Sequence, residues 1–182
     1  MRRTFAIYVA AQVMATLVTL PLRDSLAESD LVFSLASSDF QNGQTIPERY
    51  TCSGLNTSPA LEWSGVPSSA RSLVLTVDDP DAPGGTFVHW VIYNLSPESK
   101  ELPEGISSSA RNAIGEQGTN GRGEVGYAGP CPPPGKPHHY HFRLYALDQK
   151  LQLGLGATEA QVEAAMKGHV LGNAELVGVF ER

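Results

Sequence analysis

Positive charge is scarce in this chain. Lysine and arginine together number 13 against 19 acidic residues, a formal net charge of −6. No basic stripe is available to neutralise a phosphate backbone, which excludes nucleic acid as a partner. Charge blocks, internal repeats and heptad patterns are missing too. At 18 % charged and 41 % hydrophobic residues, the chain has too little charge for disorder and enough apolar material for a core. There are only two cysteines, Cys52 and Cys131, and no histidine or cysteine spacing of a zinc motif. No Gly-x-Ser-x-Gly elbow announces a serine nucleophile. Gly135-Lys136 is followed by Pro137 rather than Ser or Thr, so there is no Walker loop.

The N-terminus reads as an export leader. Arg2 and Arg3 form a short basic start, and Thr4 to Leu22 is uncharged and rich in Ala, Val and Leu. Ser25-Leu26-Ala27 supplies small residues where a signal peptidase reads them, which places cleavage after Ala27. An uncleaved anchor is the competing reading of the same run. Arg2-Arg3-Thr4-Phe5 also carries a hint of twin-arginine export. Residues 1–27 are thus expected to be a signal peptide, and residues 28–182 one domain with no stable membrane span. Cleavage removes three arginines and one aspartate, which makes the mature chain two charges more negative. The expected location is periplasmic or secreted. A Cys52–Cys131 disulfide is allowed there, although bridging needs Cα atoms within about 7 Å, which spacing does not reveal.

The rest reads as strands between Gly- and Pro-rich loops. Ser72–Val77, Phe87–Leu95, Tyr140–Leu147 and Glu175–Phe180 are the main strand candidates, with Leu31–Leu35 and Ala60–Trp63 weaker ones. One helix is expected. Thr158 and Gln161 sit at capping-box spacing, Val162, Ala165, Met166 and Val170 follow at helical intervals, and Gly172 is the expected stop. Gly115 to Pro137 holds seven glycines and five prolines, a composition expected of a functional or mobile loop. The expected fold is mainly β, a sandwich with a peripheral helix.

Strand alternation sorts the polar residues. Leu73, Leu75 and Val77 share a face that Asp79 continues, whereas Asp78 points the other way with Val74 and Thr76. His89 falls on the row of Phe87, Val91 and Tyr93. His138 and Tyr140 share the row of Phe142 and Leu144, opposite His139, His141 and Arg143. Asp79, His89 and His138 therefore end or interrupt apolar rows, where polar groups need partners. Each has a bland reading as a turn former, a core histidine or a loop residue. Together, each beside a Gly/Pro-rich segment, they suggest a site.

Asp78-Asp79-Pro80-Asp81-Ala82-Pro83, Gly84-Gly85-Thr86-Phe87-Val88-His89-Trp90, Gly126-Tyr127-Ala128-Gly129-Pro130-Cys131-Pro132-Pro133 and His138-His139-Tyr140 resemble the phosphatidylethanolamine-binding protein family. The likeness is to its bacterial Raf kinase inhibitor-like branch and runs from about Val32 to the C-terminus. It implies a Greek-key β-sandwich of two antiparallel sheets with one or two peripheral helices. It also implies a pocket for phosphate-like anions and phosphorylethanolamine head groups. Motif by motif, the implied ligand-binding residues are Asp79, Asp81, His89, Pro132, His138 and Tyr140. Only three residues separate Pro83 from Phe87, where eukaryotic members carry a longer insertion, and this argues against kinase inhibition.

The reading is an exported protein that binds a small anionic or zwitterionic ligand, without cofactor or metal, and with no catalytic residue assigned. Two alternatives stand beside it: a weak ester or phosphoester hydrolase using the same Asp/His cluster, and an inhibitor of an exported enzyme acting on an unknown protein partner, with the pocket as a switch or a relic.

Overall fold

The computed structural model describes residues 32–111 and 113–182. The expected signal peptide, residues 1–27, and the first residue of the Leu31–Leu35 candidate lie outside them. Nine strands are present among the described residues: β1 (Ser34–Ala36), β2 (Gln44–Thr45), β3 (Leu61–Ser64), β4 (Ser72–Asp79), β5 (Phe87–Leu95), β6 (Glu101–Leu102), β7 (Glu116–Gln117), β8 (His138–Leu147) and β9 (Val170–Phe180). They form a three-stranded sheet, β1-β3-β6, and a six-stranded sheet, β2-β9-β8-β4-β5-β7. Pairing is antiparallel apart from the short edge pair β2–β9, which is parallel.

The long strands read as continuous apolar runs because the large sheet is covered on both faces. β4 is buried along its whole length. Leu73, Leu75 and Val77 join Trp90, Ile92, Phe142, Leu144 and Leu176 in the main core, together with Leu35, Leu61 and Trp63 of the small sheet. Val74 faces the other way and packs with Val91, Tyr93, Val162 and Met166 in a second core. That second core lies under α1 (Glu159–Met166), which puts the helix on the outer face of the sheet.

The capping box is present. Gln161 N–H donates to Thr158 Oγ1, and Thr158 N–H donates to Gln161 Oε1 at 2.9 Å. The far end of the helix corrects the expectation. The helix stops at Met166, and Val170 opens β9 rather than closing the helical stripe. Gly168 adopts φ +84°, a left-handed conformation that ends helices at low cost for glycine. From Val170 onward, pairing with β8 satisfies the backbone.

Glu159, in the first turn of α1, has a buried Oε1 with no hydrogen-bond partner among the described residues. Burial, then the charges of Asp78 and Glu163, push its carboxyl up to about 7, against the opposing pull of Arg143. A raised carboxyl favours the folded state at low pH, and this contribution is lost as pH rises through about 7. Solvent screening of a half-exposed group reduces the effect to roughly 1 kcal/mol. Glu159→Gln should therefore melt about 2–4 °C higher than wild type at pH 8 and match it at pH 4.5. Equal melting temperatures at pH 8 would show that the carboxylate is accommodated without cost.

Candidate functional site

Three strand ends meet at one end of the large sheet: the finish of β4 and the starts of β5 and β8. Asp79 is the last residue of β4 and only 3 % exposed. Its Oδ1 accepts the Asp81 N–H at 2.9 Å, which turns the chain at Pro80. Its Oδ2 accepts from His138 Nδ1 at 2.8 Å. His138 opens β8 and is 6 % exposed, so this pair is buried.

His89 reaches the same place by a route that alternation alone does not show. Val77 pairs with Trp90, but Asp78 pairs with Val88, so β5 carries one extra residue at this point. Beyond this bulge, Val91 and Tyr93 face the helix side. His89 instead stacks between Phe87, 4.8 Å away, and Tyr140, 5.1 Å away and edge-on. The row assigned from the sequence, Phe87-His89-Val91-Tyr93, is thus split by the bulge. A bulge bends the strand and re-aims side chains, here turning His89 to the Asp79 side.

His89 Nδ1 contacts the Ala128 carbonyl at 2.5 Å, and Ala128 N–H donates back to the His89 carbonyl at 2.8 Å. A carbonyl only accepts, so Nδ1 carries the proton. Burial holds the His89 pKa below the usual histidine value. Arg122 and His138 add to this effect, while the Ala128 carbonyl and Asp79 oppose it. Burial thus favours the neutral ring, in which Nε2 is the remaining acceptor.

Asp79, His89, His138, Pro132, Phe87 and Arg122 line a cavity of about 440 Å³, which the Gly84-Gly85 turn borders. Tyr140 lies behind it, fully buried. Burial and the Asp79 charge push that phenol well above its usual value. Asp81 does not line the cavity. Its exposed Oδ2 accepts the His139 N–H at 2.9 Å and contacts His139 Nδ1 at 2.8 Å. These bonds to His139 hold the Asp81 carboxyl below its usual range.

The opposite rows went elsewhere, as alternation indicated. Arg143 bridges Asp78 at 2.6 Å and Glu175 at 2.8 Å, and His141 contacts Glu175 at 2.9 Å. This network is on the outer face, away from the cavity. A larger groove of about 880 Å³ runs past Trp63, Pro67 and Leu171 at the other end of the strands. Its charged lining residues, Glu98 and Lys100, form no ion pair with each other. The smaller cavity is the one lined by Asp79, His89 and His138. Among the described residues no group of three or more His, Cys, Asp or Glu is placed to hold a metal ion.

The Gly/Pro-rich segment builds two walls of the cavity. Cys131 is bonded to Cys52, with Cα atoms 5.4 Å apart. Cys52 N–H donates to the Pro130 carbonyl, and Gly129 N–H to Asn56 Oδ1. A Cβ at Gly129 would lie 2.4 Å from the Tyr50 carbonyl, so only glycine lets the wall approach so closely. The second wall is a turn organised by the buried side chain of Asn120. Its Oδ1 accepts from Arg122 N and Glu124 N, and its Nδ2 donates to the Gly126 carbonyl. Gly121 N–H donates to the Val88 carbonyl and ties the turn to β5.

This turn delivers Arg122, which the sequence reading missed. Among the described residues no carboxylate forms an ion pair with it. The available signal was composition: Arg122 and Lys136 are the only cations between Gly115 and Pro137.

The model of the phosphatidylethanolamine-binding protein family matches residues 36–181. The chain belongs to that family. It is 50 % identical over 150 residues to the UPF0098 protein of Methanothermobacter thermautotrophicus, covering 82 % of this chain and 99 % of that protein. It is 42 % identical over 149 residues to LppC of Mycobacterium tuberculosis, a protein named as a lipoprotein, with 81 % and 72 % covered. Among solved structures it resembles the phosphatidylethanolamine-binding protein homologue CT736 of Chlamydia trachomatis. That likeness has a TM-score of 0.76 at 43 % identity and covers 82 % of this chain and 97 % of that one. Family membership agrees with the mainly β fold of two sheets and one α-helix. It also accounts for the Asp-Pro-Asp-Ala-Pro and Gly-Pro-Cys-Pro-Pro segments, both of which border the cavity.

Proposed function

We propose that this chain is an exported binding protein whose cavity holds a phosphate-like anion, such as a phosphorylethanolamine-type head group. The observation that carries this reading is the buried Asp79–His138 pair in a cavity that also receives the unpaired Arg122. Asp79 occupies His138 Nδ1, so the ring's remaining nitrogen, Nε2, is the one available to a ligand. With the Asp79 carboxylate fixing the ring from behind, Nε2 can hydrogen-bond a phosphate group of the ligand. Arg122 adds a positive charge from the mouth. Export is supported by the leader-like N-terminus and by the lipoprotein name of one relative.

Titration calorimetry with inorganic phosphate and with phosphorylethanolamine tests the reading. Saturable binding of both is expected, and it should weaken at least several-fold in His138→Gln, which removes a ring that lines the cavity. Failure of both ligands to bind at any pH would overturn the proposal.

A further inference from the structure

We propose that the outer face of β8 carries a second binding site, in which His139 and His141 together hold a divalent transition-metal ion such as Cu²⁺. This site lies outside the cavity and does not depend on what the cavity binds.

The two residues share a face because they stand two apart on one strand. β8 is regular there. His139 lies opposite Val179, and His141 lies opposite Val177 on one side and Asp78 on the other. At a rise of about 3.4 Å per residue, the two side chains start roughly 7 Å apart. An ion with nitrogen ligands at about 2.0–2.1 Å needs its two nitrogens about 3 Å from each other. Upright rings meet this by leaning together by about 2 Å each. Both are open to solvent, with the His139 side chain 52 % exposed and that of His141 22 %.

Each ring already has its inner nitrogen engaged. His139 Nδ1 donates to Asp81 Oδ2 at 2.8 Å, and His141 Nδ1 donates to Glu175 Oε1 at 2.9 Å. A carboxylate oxygen only accepts, so Nδ1 carries the proton whether or not the ring is charged. Nε2 is then the one nitrogen that can take a metal, and no group among the described residues bonds to it in either ring. The carboxylates are themselves fixed. Asp81 Oδ2 also accepts the His139 N–H, and Glu175 Oε1 also accepts Arg143 Nε. A carboxylate behind a histidine orients the ring and raises its basicity as a metal ligand. His169 has the same pairing with Asp148 but no second histidine beside it on its strand.

The surrounding charge favours a cation. Asp78, Asp81 and Glu175 gather here against one guanidinium, that of Arg143. On β9 the neighbours are Val177 and Val179, which carry no charge. No third His, Cys, Asp or Glu completes the ligand set among the described residues, so water fills the remaining positions. Two imidazoles and water suit Cu²⁺ best, with Ni²⁺ and Zn²⁺ weaker in the usual order.

The experiment is a Cu²⁺ titration of wild-type protein in a non-coordinating buffer at about pH 7.5, where imidazoles are largely neutral. It is followed by calorimetry and by electron paramagnetic resonance. One ion per chain is expected, with nitrogen splitting from two imidazoles. His139→Ala and His141→Ala should each weaken binding at least about tenfold, a loss that even an outer partner of a metal ligand can cause. Each should also reduce the splitting to one nitrogen. His169→Ala should leave the spectrum unchanged. Phosphate binding should be the same in all three variants, so failure of the anion reading leaves this test intact. A wild-type spectrum with fewer than two nitrogens overturns the proposal without any variant. So does a two-nitrogen spectrum that survives when both His139 and His141 are replaced.

Discussion

Replacing Cys52 and Cys131 together by serine is expected to cost about 3–4 kcal/mol of unfolding free energy and to weaken phosphate binding in the same variant. The bridge spans 79 residues of sequence. It therefore removes much of the loop-closure freedom of the unfolded chain, and loops of this length lie at the upper end of the usual range. The effect on binding has a local cause. Cys131 and Pro132 line the cavity, and the bridge is the covalent tie between that wall and the segment after Tyr50. Without it, the wall depends on the Cys52 N–H to Pro130 bond and on the Gly129 contact with Asn56. Each such bond contributes about 1 kcal/mol. A wall held so weakly must be ordered by the ligand, which lowers affinity several-fold. Urea unfolding of wild type with and without a dithiol reductant gives the same comparison without a substitution. Coincident midpoints for oxidised and reduced protein would sink the stability claim. Unchanged phosphate affinity on reduction would show that the wall is ordered by its hydrogen bonds alone.

Asp79→Ala should be the most damaging single change in the cavity, with a loss of about 3–5 kcal/mol. Two things go at once. The buried partner of His138 disappears, and the acceptor that shapes the turn at Asp81 goes with it. Asp79→Asn separates charge from geometry. Its amide oxygen can still accept from one of these donors, so most of the stability should return. Denaturant unfolding checks this, and an Asp79→Asn variant as unstable as Asp79→Ala would show that the charge, rather than the geometry, holds His138.

Much of this arrangement is legible in the sequence. Asp79, His138 and Tyr140 fall on core-facing rows because side chains alternate along a strand, and β4 and β8 are regular there. The same rule sent Asp78, His141 and Arg143 to the outer face, where they form a salt-bridge network. The helix start was legible because capping is local chemistry between Thr158 and Gln161. Its end was not. Helical spacing extends through Val170, and only the pairing of Val170 with Leu147 shows that the strand takes that residue.

His89 is the instructive residue. Strict alternation puts it on a row with Val91 and Tyr93, which face the second core. One extra residue in β5 opposite β4 turns it toward Asp79. A bulge is a mismatch between two strands, and neither strand's pattern contains it alone. The place of Arg122 is illegible in the sequence for a related reason. Its place at the cavity mouth depends on a turn folded around Asn120 and anchored on Val88, contacts that composition does not encode. Asp81 shows the converse. Its motif pointed to the pocket, and a bond to the neighbouring His139 holds it outside.

The sequence by itself therefore determined the family, the mainly β class, the helix cap and the residue types of the cavity. Those properties follow from local periodicity and from motifs that survive without knowledge of partners. Tertiary structure decided which chain segments close the cavity, the Cys52–Cys131 bond, the turn of His89 and the arrival of Arg122. These depend on register and on contacts between residues far apart in the chain. They are set only when strands pair and loops dock, because the free energy that selects them is shared between both partners.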